Sequence, residues 1–337
     1  MNNLNYISCL AVLGVFFYCI SPSLASLEKG PLHARNHFPP HLMFLKPMPD
    51  SPLPAPPHHL KMTLDIDYSS VFLDEHSAEW DVLIDLEMTV VTISLEYGLT
   101  EWSSMSLEMP FVSMSDGFLD SFLETYHTTF QFPNYGREKR PKNDFAYSIK
   151  KNGQEWFTPE VGDYHSADSI LAFKVHGPST SFSYRLKIPT GDEKRGVGSG
   201  HSDHGFFLST KFSLPPLSIY VNPSLILLSD PKTLGPDISV KNIFGLFGGA
   251  EYIFNKSWSA LSQLNYYTSP FENTHINQLD TDSLEITFGL IYSAGSDMNL
   301  EFGFSEDLFK AAPDFTLHCE LNYRFSPSVF MDQQLNK

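Results

Sequence analysis

The stretch FTLHCELNYRF at 315–325 places Phe315, Leu317, Cys319, Leu321, Tyr323 and Phe325 at every second position, with Thr316, His318, Glu320, Asn322 and Arg324 between them. A period of two is the mark of a β-strand with one apolar and one polar face. The pattern recurs along the chain. KMTLDIDYSSV sets Met62, Leu64, Ile66 and Tyr68 against Lys61, Thr63, Asp65 and Asp67. EWDVLIDLEM alternates Trp80, Val82, Ile84, Leu86 and Met88 with Asp81, Asp85 and Glu87, and a change of phase near Val90-Val91 predicts a β-bulge. Counting Leu284–Tyr292, Met298–Phe304 and the segments before them gives about twelve strands.

The connections fall into two classes that alternate. Short ones are GLT near 98–100, GPST at 177–180, PP at 215–216, NKS at 255–257 and AGSD at 294–297. Longer ones lie near 72–78, over about 113–163, and at 191–203, 229–239, 270–281 and 307–313. Short turns at one end, long loops at the other and an even strand count describe an up-and-down transmembrane barrel. A sandwich with Greek-key crossovers has no reason to sort its loops this way, although a soluble periplasmic β-sandwich binding protein would share the alternation. Mean hydropathy is only -0.16, and beyond the first residues no apolar run reaches the ~20 residues of a spanning helix. A barrel is the one membrane-crossing structure compatible with that dilution, because its apolar residues alternate with polar ones.

The fold predicted is therefore all-β, a transmembrane antiparallel up-and-down β-barrel with one short loop helix. Residues 1–25 have an apolar run from Ile7 to Ile20 followed by Ser23-Leu24-Ala25 and are read as a signal peptide. Its removal would leave Cys319 as the single cysteine, so no intramolecular disulfide is expected. Residues 26–59 hold nine prolines, from Pro31 to Pro57, which favour extended, unpaired chain. They are read as a periplasmic arm, with a luminal position as the alternative; 60–325 is the barrel and 326–337 a C-terminal tail. Both termini then lie on the short-turn, periplasmic side of a Gram-negative outer membrane, with lipid as a partner. The charge of -17 excludes nucleic acid as a partner.

Further stretches resemble an uncharacterised family of bacterial envelope proteins, a domain of unknown function expected to form outer-membrane barrels. They are GPLHARNHFPP at 30–40, EYGLTEWSSMSLEMPF at 96–111, DGFLDSFLETYHTTF at 116–130 and RLKIPTGDEKRGVGSGHSD at 185–203. LKIPTG also resembles strand ends in channels associated with aromatic-compound degradation. The resemblance implies fold and location and brings no catalytic residues. Outer-membrane proteins usually end on an aromatic read by the barrel assembly machinery; here SPSVFMDQQLNK follows Phe325, so the strand ending at Phe325 is the candidate insertion signal.

If the apolar positions face lipid, the alternate ones face the lumen. The candidates for its lining are Lys61, Asp65, Asp67, Asp85, Glu87, Arg185, Lys187, Glu285, Glu301, Glu320 and Arg324. A lumen of this size is either filled by ion pairs or forms a narrow or gated passage for a small solute. A structural envelope role is the companion expectation. In the longest loop Phe118, Phe122, Tyr126 and Phe130 recur at helical spacing. That helix is expected to fold over or into the barrel mouth, or to meet lipid or a partner. GSGHSDHG gathers His201, Asp203 and His204, a set that could ligate a metal only if a Gly-rich loop fixed its geometry. Ser202 beside His204 is the corresponding candidate for a hydrolase at the rim. No cofactor is expected, and the chain is read as no enzyme.

Overall fold

The computed structural model describes residues 29–53, 55–159, 164–231 and 239–325. The expected signal peptide at 1–25 and the expected C-terminal tail at 326–337 lie outside these residues. Twelve strands follow one another around a closed wall: β1 (Leu60–His76), β2 (Trp80–Thr100), β3 (Ser103–Ser115), β4 (Ser169–His176), β5 (Thr180–Ile188), β6 (Asp203–Leu214), β7 (Leu217–Leu227), β8 (Ile243–Ile253), β9 (Trp258–Tyr267), β10 (Ser283–Ser293), β11 (Met298–Asp307) and β12 (Phe315–Phe325). Each pairs antiparallel with the next, and β12 closes on β1 with Phe325 opposite Leu60 and Phe315 opposite Ser70. Closure leaves the barrel wall without an open first or last strand, which a hydrocarbon environment demands. Strands of 10 or 11 residues, such as β8 to β12, match the length needed to cross a bilayer at a tilt.

Outward positions are apolar and exposed: Ile66 on β1, Leu246 on β8, Phe302 on β11 and Leu317 on β12 are typical. A soluble protein would not leave such a belt uncovered around its whole girth. Near the short turns Trp258 and Tyr292 meet at 4.7 Å, as do Tyr323 and Phe325, forming one aromatic girdle. Among the described residues no helix is long and apolar enough to cross a membrane; the strands make the crossing.

Two local expectations change. No bulge exists at Val90-Val91, because β1 and β2 stay in continuous register from Leu60↔Tyr97 to His76↔Asp81. The phase changes because the interior changes. Even-numbered residues of β2 point inward throughout; they are Val82, Ile84, Leu86 and Met88 near the long loops, and Thr92, Ser94 and Glu96 nearer the short turns. Likewise the supposed loop at 72–78 is a three-residue turn at the tip of a long hairpin. Both faces of that hairpin are covered, Leu73 from inside and Phe72 by the Arg137 guanidinium 5.4 Å from its ring, which blurs the alternation.

The loop between β3 and β4 carries helix α1 (Asp120–Phe130) and a hairpin of Ala146–Lys151 and Gln154–Phe157, which extends the sheet by pairing with β2. Helix α1 lies neither over nor in the mouth. It packs on the outside of the wall, Leu119 and Leu123 meeting Phe315, with Tyr68 and Phe304 alongside.

Candidate functional site

Residues 29–53 of the proline-rich segment lie in the lumen. From the short-turn mouth, the Lys29 N–H donates to Glu251 at 3.1 Å and the Leu32 N–H to Gln263 at 2.7 Å. The chain climbs past His33, 3.1 Å from Glu320, and His37, 2.5 Å from Asp67, to a 3-10 turn at Pro39–His41 near the long loops. It then descends: the Leu45 N–H donates to Asp203 at 3.0 Å, Asp50 meets Lys174 at 2.5 Å and Arg185 at 3.2 Å, and Pro52 offers its carbonyl to His176 at 3.2 Å. Pro57 finally bridges Gly98 beside the start of β1.

Residues 29–53 thus pass through the barrel twice. Proline removes N–H groups that a ladder would need, and among the described residues no backbone–backbone hydrogen bond joins 29–53 to the wall. Wall side chains substitute. Gln263 binds both the N–H and the carbonyl of Leu32, and Lys187 donates to the Met43 carbonyl and to Ser199. Buried peptide groups must be paired, so a polar lumen is what an unladdered segment requires.

Charge is matched across this contact. On the ascending limb the Arg35 guanidinium lies 2.8 Å from Glu108, and on the descending limb Asp50 meets Lys174 and Arg185; the His33 and His37 rings face Glu320 and Asp67. Near the apex Lys187 stands between Asp168 and Asp203, 3.0 Å from each. Paired in this way, ions survive burial that would otherwise cost several kcal/mol each. Inward glycines make room for the chain. A Cβ at Gly245 would lie 2.5 Å from Pro47, and one at Gly289 2.3 Å from Leu32.

The two mouths differ. Toward the long loops Phe38, Met43 and Phe44 join Val71, Leu86, Trp80, Phe271 and Ile276 in an apolar core that seals the bore. At the short-turn end a cavity of about 400 Å³ remains, lined among others by Lys29, Lys61, Lys174, Lys256, Glu96, Glu301 and Arg324.

Of the predicted lining residues, Lys61, Asp65, Asp67, Arg185, Lys187, Glu285, Glu301, Glu320 and Arg324 occupy inward strand positions. Asp85 and Glu87 do not, because odd positions of β2 face outward. Asp85 lies beneath the long loop, 3.1 Å from Arg140. Glu87 accepts from Tyr68 at 2.5 Å and from the N–H groups of Phe118 and Leu119 at 2.9 and 2.5 Å, so it anchors the entry to α1. His201, Asp203 and His204 do not converge. Asp203 points inward to Lys187, whereas its neighbour His204 points outward to the Tyr184 hydroxyl at 2.7 Å. Sequence reasoning overlooked His33, Arg35, His37 and Lys46; their signal was an excess of basic and imidazole side chains in a proline-rich run, set against an acidic wall.

A family model described as "Protein of unknown function (DUF3187)" matches residues 9–325. No curated protein matches the chain. Among solved structures, the COG4313 outer membrane channel from Pseudomonas putida F1 superposes with a TM-score of 0.56 at 15% identity, over 82% of this chain and 99% of that one. The CymD monoaromatic hydrocarbon channel gives 0.41 at 11% identity over 81% and 89%, and the NanC porin 0.42 at 10% over 79% and 99%. The fold is that of an outer-membrane β-barrel, and the belt of apolar side chains places it in that membrane.

Proposed function

The chain belongs to this family of unknown function, and we propose that its barrel is a narrow outer-membrane channel for a small solute, held closed by its own residues 29–53. One observation carries the reading: a segment with no ladder to the wall occupies a polar bore that opens at one end into a cavity of about 400 Å³. A plug meant never to move would gain from strand pairing; this one is bound through side chains alone. The inward residues Lys61, Asp65, Asp67, Arg185, Lys187, Glu285, Glu301, Glu320 and Arg324 would then line the path once the segment shifts.

Size follows from the occupant. An extended chain takes up ~5 Å in one direction and ~10 Å in the other, so two passes leave a bore about 10 Å across when withdrawn. Opening is costly. Lifting Phe38, Met43, Phe44 and Leu45 out of their contacts forfeits ~1.5–3 kcal/mol for each side chain. The resting state is accordingly closed, and a solute or partner must supply the difference by binding the open state more tightly. The reading includes no catalytic step: a rim hydrolase needs a base within reach of a nucleophile, whereas His204 is engaged by Tyr184. Recognition of the strand ending at Phe325 by the barrel assembly machinery belongs to the same proposal.

Planar-bilayer recording tests it. The intact chain should show rare openings, and Gly245→Val, which pushes on Pro47 and replaces no charged residue, should open far more often. If neither protein conducts while both keep the heat-modifiable gel mobility of a closed barrel, the passage reading fails and a structural envelope role takes its place.

A further inference from the structure

We infer that helix α1 is a lipid-interface element, its aromatic flank inserted at the outer-leaflet boundary beside the barrel wall. The helix presents three distinct sides. Asp120, Leu123 and His127 are buried against the wall and the following loop. Ser121 and Glu124 form a polar flank that meets Lys142 of that loop, Glu124 at 2.7 Å. Phe118, just before the helix, and Phe122, Tyr126 and Phe130 form the remaining flank; Phe118 is 66% exposed, Phe122 49% and Phe130 62%.

This aromatic flank continues an interface already described. Phe118 stacks on Tyr68 at 5.2 Å, and Phe122 meets Phe315 edge-on at 5.7 Å. Tyr68 and Phe315 are outward residues of β1 and β12, and the next outward positions on the same strands, Ile66 and Leu317, belong to the exposed apolar belt. Two residues of strand are ~7 Å, so the rings sit at the upper edge of the belt, where barrels place their second aromatic girdle. A further observation points the same way. The exposed hydroxyls of Thr125, Thr128 and Thr129 each donate to the carbonyl four residues earlier, at 2.9, 2.7 and 2.7 Å, so their protons are used within the helix and not on water. Phospholipid or lipid A acyl chains at the headgroup boundary fit a row of aromatic rings bordered by a polar flank.

Spin labels provide the test, on the full chain reconstituted in phospholipid vesicles with Cys9, Cys19 and Cys319 replaced by Ser. A label at Phe122→Cys should be several-fold more accessible to oxygen than to a water-soluble nickel chelate, and a label at Ser121→Cys should show the opposite preference. Phe130→Cys repeats the measurement at a second aromatic site should the first variant fail to insert. Equal nickel accessibility at 121 and 122 overturns the inference. So does dipolar broadening between labels on different copies at 122, which would make the flank a contact between barrels.

Discussion

His37, on the ascending limb, and Asp67, on β1, meet at 2.5 Å inside the barrel, and the second oxygen of the same carboxylate lies 2.5 Å from His318 on β12. Asp67 is 1% exposed, so one buried carboxylate ties the luminal segment to two neighbouring wall strands.

Replacing it should loosen the segment before it loosens the barrel. Asp67→Ala removes the shared acceptor from two buried rings, and breaking a buried charged network from one side costs ~3 kcal/mol. The expected outcome is faster proteolytic cleavage within 29–53 and more frequent openings in bilayers, with the heat-modifiable band retained. Unchanged protection of the segment would show that the His37 contact contributes nothing to its seating.

The wall glycine at 245 gives a steric counterpart. Its missing Cβ would approach Pro47 and the Ser224 hydroxyl, each at 2.5 Å. Gly245→Ala should be tolerated with a shift of Pro47, and Gly245→Val should displace the descending limb. A thiol-reactive probe applied from the short-turn side to Ser51→Cys, in the cysteine-free background, should label the Val variant faster than the glycine parent.

On the outer wall, Glu87 accepts two backbone N–H groups at the entry to α1. Glu87→Ala leaves both without that acceptor, a loss of about 1–3 kcal/mol. The helix should detach while the barrel persists, read as narrower, more mobile spectra from a label at Thr125→Cys.

His127 makes the docking of α1 sensitive to pH. Burial opposes its charge, but Glu306, 3.4 Å from Nε2, and the nearby Asp314 outweigh burial and raise the ring above its ordinary value. A group whose folded pKa is raised contributes stability that is fully present below the unfolded value, about 6.5 for histidine, and lost as pH climbs through the folded value. The helix should therefore be held more tightly in mild acid and released in mild alkali, and His127→Gln should flatten that response in the spectra at Thr125→Cys.

Membrane barrel, strand order and most of the sorting of short turns from long loops were legible in the chain, the connection after β1 excepted, which is a three-residue turn. Alternation is a local property, and a strand that faces lipid on one side and a polar bore on the other must write both environments into neighbouring residues. The inward placement of Lys61, Asp65 and Glu320 followed from the same rule. That rule failed at Asp85 and Glu87, because the upper half of β2 has an apolar interior and a polar covering loop outside, so the chemical pattern inverts while the geometry does not.

What the residues by themselves determined was the wall: period two, aromatic ends and proline where no ladder forms. Which surfaces the remaining segments cover was decided only by tertiary structure. Proline density states that 29–53 cannot pair as a strand, not that it fills the bore; that depends on glycines at 245 and 289 and carboxylates at 67, 108 and 320, distant in sequence and brought together by closure. In the same way, helical spacing produced α1, but the side it turns to the wall depends on Phe315 and Tyr68, which become neighbours only when β12 pairs with β1.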